Sequence, residues 1–183
     1  GLLGTRNNTR EVCEYPEAIG HELLKEQYWE EDVSCHGCPV GCGKKIRVKK
    51  GSFQGTVVKM PEYETLYALG TMLDNRDLDA IIEANHLCHL LGLDTISMGV
   101  TLAFVAECME RGIISEKEMG ARVGFAEPQT LSDLIRKTAR MEGIGVHLGL
   151  GSVRIAERFG GDAHKYLHAV KGMEMPGHSA RGL

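Results

Sequence analysis

The residues from Asp77 to Arg111, DLDAIIEANHLCHLLGLDTISMGVTLAFVAECMER, set the fold class. Behind an acidic start, Leu78, Ile81 and Ile82, then Leu87, Leu90 and Leu91, recur at helical spacing until Gly92 breaks the run. A second long helix is predicted over Thr95–Arg111, its turns marked by Val100, Ala103, Phe104 and Glu107 and its end by Gly112. Cys88 and Cys108 fall on apolar faces, where a free cysteine behaves as a small buried hydrophobe.

Outward from this pair the pattern stays helical. Upstream, Glu64–Leu73 carries Leu66, Leu69 and Leu73 on one side, and Ile19, Leu23 and Leu24 mark a short helix in a polar lead-in over 1–34. Downstream, Ser115-Glu-Lys-Glu118 is a capping box, followed by predicted helices at Thr130–Met141, Ser152–Phe159 and Asp162–Val170. GIGVHLGLG at 143–151 lacks a preceding strand and a following Lys-Ser/Thr, so it reads as a helix-to-helix connection, not a phosphate loop. Only KIRVKKGSFQGTVVK, Lys45–Lys59, alternates around a glycine-rich centre, and it predicts a short β-hairpin. The expected fold is mostly α: a multihelical domain with a short β-hairpin next to the cysteine loop.

Composition narrows the function. With 21 Lys+Arg against 25 Asp+Glu in 183 residues, the chain has no basic field for gripping nucleic acid. Lysines 44, 45, 49, 50 and 59 read as a solvated face. The longest apolar run, near Gly99–Val105, is too short to span a membrane. The opening GLLGTRNNTREV has no signal-peptide pattern, which points to a cytoplasmic setting. No initiator Met is present and the chain stops at SARGL, so a piece of a longer protein is expected.

Three of the six cysteines lie in Cys35-His-Gly-Cys38-Pro-Val-Gly-Cys42. Thiols this close read as metal ligands in a reducing compartment. Structural zinc draws its ligands as two separated pairs, and no second pair exists. The C-x2-C-x3-C spacing on a Gly- and Pro-broken loop can instead wrap three corners of an iron–sulfur cube, with zinc and redox thiols as the other readings. Elsewhere, Pro61-Glu62-Tyr63-Glu64-Thr65 sets two carboxylates at a helix start; they complement the dipole there, or one of them moves a proton. Glu83 and His86, at i and i+3, form a solvated face or half of a metal site shared between two subunits of a homodimer. His164 and His168 read as surface residues.

Five segments, in order, resemble the tungsten-dependent aldehyde ferredoxin oxidoreductase family. They are Thr5-Arg6-Asn7-Asn8, the Cys35–Cys42 loop, Pro61–Thr65, Leu91-Gly92-Leu93-Asp94-Thr95-Ile96-Ser97 and Lys171-Gly-Met-Glu-Met-Pro-Gly-His178. Each is weak alone, but their shared order across nearly the whole chain is specific. The resemblance implies a longer enzyme, with a pterin-binding β domain ahead of two helical ones. Residues 1–142 then form the helical domain with the cluster loop and the first pterin-contacting segment, and 143–183 start the following helical domain.

By the same resemblance, Cys35, Cys38 and Cys42 match three ligands of a [4Fe–4S] cluster. The fourth lies in a later Gly-Leu-Cys segment, which Gly182-Leu183 does not supply. His89-Leu-Leu-Gly92-Leu93-Asp94 matches an Asp-x-x-Gly-Leu-Asp segment that contacts pterin, with His89 in place of its opening Asp. Glu64, or Glu62, falls where the family keeps a carboxylate near tungsten, and Glu64 sits further into the helix. Glu83 and His86 match a region that bridges subunits through a metal in some members. The implied activity is oxidation of an aldehyde to a carboxylic acid by a tungsten (or molybdenum) bis-pterin, with electrons passing to ferredoxin. This chain alone is expected to be inactive. A free-standing iron–sulfur electron-transfer module and a zinc-stabilised helical interaction module are the alternatives.

Overall fold

The computed structural model describes residues 3–178. Gly182 and Leu183, considered above for the fourth ligand, lie outside them.

The centre is α5 (Thr95–Glu110), started by the Asp94 carboxylate, which accepts from the Ser97 N–H at 2.6 Å. Val100, Leu102, Ala103, Phe104, Val105 and Cys108 are all fully buried, so α5 is apolar all round and not striped. Helix α3 (Tyr63–Leu69) packs so closely on it that a Cβ on Gly99 would lie 2.3 Å from the Ala68 carbonyl oxygen. Only glycine permits that approach.

Helix α4 (Leu78–Leu91) is capped by Asp77 and ends at Gly92, where φ is +70°. The Leu93 N–H returns to the Cys88 carbonyl at 2.9 Å, closing the last turn. Its predicted apolar stripe stops short: Leu90 and Leu91 are exposed at 60% and 39%. The helix leaves the core before its end, so the repeat outruns the packed face.

The predicted Glu64–Leu73 helix breaks at Gly70, and Thr71–Leu73 continues as a 3-10 turn. Helix α7 (Pro128–Arg140) packs along α4, and α6 (Glu116–Met119) carries the Ser115–Glu118 capping box. Gly145–Leu148 forms one turn, α8, and α9 follows at Ser152–Phe159. The buried Ile144, Leu148, Ile155 and Ala156 enter the same core as α5.

The expected hairpin is instead a three-stranded antiparallel sheet in the order β1 (Trp29–Val33), β2 (Gly43–Arg47), β3 (Val57–Lys59). The unforeseen strand, WEEDV, lacks apolar alternation. It is held through its partner by cross-strand ion pairs Glu31–Lys45 (2.6 Å), Asp32–Lys44 (3.0 Å) and Glu30–Arg47 (2.6 Å). Ile46 and Val58 turn inward from the sheet onto the core, beside α2 (His21–Gln27) and the short α1 (Pro16–Ile19).

The predicted last helix also differs. Gly161–Tyr166 is 3-10, and β4 (Ala169–Val170) then pairs with β5 (Met173–Glu174). Lys171 and Gly172 between them both have positive φ, +54° and +82°, which matches the twist of a two-residue hairpin turn.

At the other end, Arg6, Asn7 and Asn8 are consecutive left-handed residues. Backbone bonds from Arg6 and Asn7 to the Thr71 and Met72 carbonyls, both 3.0 Å, and from Asn7 Nδ2 to the buried Glu107 at 2.6 Å hold that costly turn. No single helix among the described residues is long and apolar enough to cross a membrane.

Candidate functional site

The cysteine loop is the connection from β1 to β2. Cys35 and Cys42 are exposed and Cys38 is half-buried. The Cys38 N–H donates to the Cys35 carbonyl at 3.0 Å, making a tight turn that needs Gly37 at φ +71°. Gly41, at φ +62°, makes a second reversal. Among the described residues, no three His, Cys, Asp or Glu side chains converge as a single metal ion requires. Three thiols on an exposed, glycine-opened loop are a donor type that zinc and iron–sulfur clusters both take.

The α3 start separates its two acids. Glu62 precedes the helix and makes a half-exposed ion pair with Lys59 at 3.1 Å. Glu64 lies in the first turn, with its side chain 23% exposed. One of its oxygens accepts the Gly177 backbone N–H and the other pairs with His178 Nδ1. The His178 ring also packs on Tyr63, with centroids 5.1 Å apart. Behind Glu64, the buried Thr65 and Thr95 hydroxyls bond at 2.8 Å and tie α3 to α5. His178 ends one of the segments that carry the resemblance, and no sequence signal marks its pairing with Glu64, 114 residues away.

The turn between α4 and α5 presents His89, Gly92 and Asp94 to solvent, with Leu93 half-buried. Nothing lies within 4 Å of where a Gly92 Cβ would sit, so a planar ligand can approach the backbone there. Asp94 spends one carboxylate oxygen as the α5 cap. Glu83 accepts from the Ser52 N–H (3.3 Å), the Ser52 hydroxyl (3.0 Å) and the Ser132 hydroxyl (3.3 Å), which ties the β2–β3 loop and α7 to α4. His86 packs edge-on against Phe53, and burial, with His89 nearby, holds its pKa below the ordinary 6.5.

A half-open apolar cavity of about 510 Å³ joins the first two regions. Cys42 stands on one wall and Glu62 and Tyr63 on another, with Ile19, Leu24 and Leu66 among the apolar lining. The cysteine loop and the α3 start thus line one cavity, although Cys42 and Glu62 are 20 positions apart in sequence.

The family model described as aldehyde ferredoxin oxidoreductase, domains 2 & 3, matches residues 1–183. A tungsten-containing aldehyde ferredoxin oxidoreductase from Pyrococcus abyssi is 38% identical over 187 residues, covering 100% of this chain and 30% of the relative. Its counterpart from Pyrococcus furiosus is 39% identical over 186 residues, covering 100% and 29%. The chain therefore spans under a third of the length of these relatives. A solved structure of the active-site complex BamBC of benzoyl coenzyme A reductase with 1,5-dienoyl-CoA superposes at a TM-score of 0.75. It covers 94% of this chain and 26% of that one, and at 22% identity the likeness speaks to the fold alone.

Proposed function

Because the chain belongs to the aldehyde ferredoxin oxidoreductase family, we propose that it forms the cluster-bearing and proton-handling part of a tungstopterin enzyme. The reaction is oxidation of an aldehyde and water to a carboxylic acid, releasing two protons and two electrons, with ferredoxin as the acceptor. The bound tungsten or molybdenum bis-pterin supplies the two-electron chemistry and the [4Fe–4S] cluster the outward relay. Residues 1–142 belong to the second domain of that enzyme and 143–183 to the third.

The observation that carries this reading is the Glu64–His178 pair. A half-buried carboxylate holds lone pairs beyond those used by Gly177 and His178, so it can accept a proton from water or a hydrated aldehyde. His178, 60% exposed in its side chain, offers that proton a way to solvent. Glu62, committed to Lys59 at the surface, is the lesser candidate. Cys35, Cys38 and Cys42 would hold the cluster on the exposed loop, where an acceptor protein can approach. His89, Gly92, Leu93 and Asp94 would meet the pterin at the α4–α5 turn. A metal shared by Glu83 and His86 across a homodimer is the weaker part, since Glu83 already has its donors.

The test uses the full-length enzyme. Metal analysis should find tungsten or molybdenum with about four irons per chain. Glu64→Gln should lower aldehyde-dependent kcat about 100-fold with metal content unchanged. One zinc per chain without iron, or unchanged turnover in Glu64→Gln, would reject the proposal.

A further inference from the structure

Only Met175, Pro176 and Gly177 separate β5 from His178, and one side chain anchors that span. Glu174 Oε1 accepts from the Ser152 N–H and hydroxyl at the start of α9, both at 2.8 Å, and from the Thr101 hydroxyl of α5 at 3.2 Å. Helix α9 has no capping side chain of its own, so a carboxylate from a later strand takes that place and complements the helix dipole. Burial favours the protonated acid, but hydrogen bonding from the Ser152 N–H and hydroxyl, its own backbone and Ser97 together holds Glu174 below the ordinary 4.5.

From this anchor the span has little freedom. The Met175 N–H donates to the His168 carbonyl at 2.9 Å, and Pro176 fixes its own φ. Gly177 lies flat on Tyr67, where a Cβ would come within 2.6 Å of the ring. The circuit closes through α5, which holds Glu174 by Thr101 and holds α3, beside Glu64, by the Thr95–Thr65 bond.

We propose that Glu174 is a positioning residue: through Ser152 and Thr101 it sets the span that brings the Gly177 N–H and the His178 imidazole onto Glu64. The functional weight of this inference rests on the proton-transfer reading of Glu64 and His178.

The test is carbethoxylation of histidines by diethyl pyrocarbonate in the full-length holoenzyme, read by mass spectrometry beside steady-state kinetics. In Glu174→Ala, His178 should react about 10-fold faster while the exposed His21 of α2 is unchanged, and kcat should fall about 10-fold with KM within about twofold. Glu174→Gln keeps the shape and an acceptor oxygen, and should recover most of the protection. If Glu174→Ala does not fold, Thr101→Val and Ser152→Ala each remove one donor and should show the same pattern at smaller size. Wild-type reactivity of His178 in these folded variants, or equal acceleration at every histidine, overturns the proposal. Faster His178 modification in an enzyme whose Glu64→Gln variant keeps full kcat upholds the positioning role and rejects the proton-transfer reading instead.

Discussion

Around α5, position is enforced by close packing: Phe104 is fully buried and Gly99 sits where even a methyl group collides with the backbone of α3. Around the cysteine loop, turns and surface ion pairs are the main local restraints, and Val40 at its tip is 73% exposed. The contrast fits the function proposed for each region. A proton-transfer pair drawn from two distant segments would need a rigid wall behind it, because small displacements are costly to catalysis. A loop of thiolates would take its final shape from the cluster proposed to bind it.

The sharpest way to break this comparison is to damage each region in turn. Phe104→Ala should cost about 4 kcal/mol of stability in denaturant unfolding of the full-length protein. Cys35→Ser, by contrast, should lower iron content with the tungsten or molybdenum content unchanged. A Cys35→Ser protein that loses helical structure as Phe104→Ala does would make the loop part of the core after all.

Smaller effects separate two glycines. Gly99→Ala should cost about 3 kcal/mol, because backbone must move. Gly37→Ala meets no atom within 4 Å and should cost only about 1 kcal/mol, from its left-handed φ. Equal costs would mean that the α3–α5 contact is loose.

The smallest effect lies in acid. Glu174, Glu30 and Asp32 all have pKa values below their ordinary ones: Glu174 because hydrogen bonds from Ser152, its own backbone and Ser97 together outweigh its burial, Glu30 through Arg47 and Asp32 through Lys44. A depressed carboxylate stabilises the fold above its unfolded pKa, and that stability is lost as pH falls through the folded value. Tm should therefore drop below about pH 4.5. About 1 M salt should erase the share of the exposed sheet acids but leave that of Glu174, which Glu174→Gln removes. An acid limb that salt abolishes entirely would place Glu174 with the surface pairs.

Much of the helical part was legible, because α4 and α7 bury long faces that leave a period in the sequence and α5 is a long apolar run between Gly92 and Gly112. β1 was not: WEEDV owes its place to Lys44, Lys45 and Arg47 on a strand that follows a nine-residue loop. Leu90 and Leu91 misled in the other direction, since periodicity records a pattern and not where the packing partner ends. In the site, the cysteines and Glu64 stood out by residue type and spacing. The cavity lined by both Cys42 and Glu62, and the meeting of Glu64 with His178, depend on how distant segments fold together. The β4–β5 turn that aims His178 rests on two residues with positive φ, one of them a lysine, which carries little turn signal.

The contact between Glu64 and His178 spans 114 residues. Closing so long a loop carries a large entropic cost, and the pair can form only once α3, α5 and α9 are already in place. We expect the pair to form after the helices and to be lost ahead of them on warming. On the proposed function, activity should fail on warming before helicity, with kcat lost at temperatures where the helix signal of the full-length enzyme is still intact.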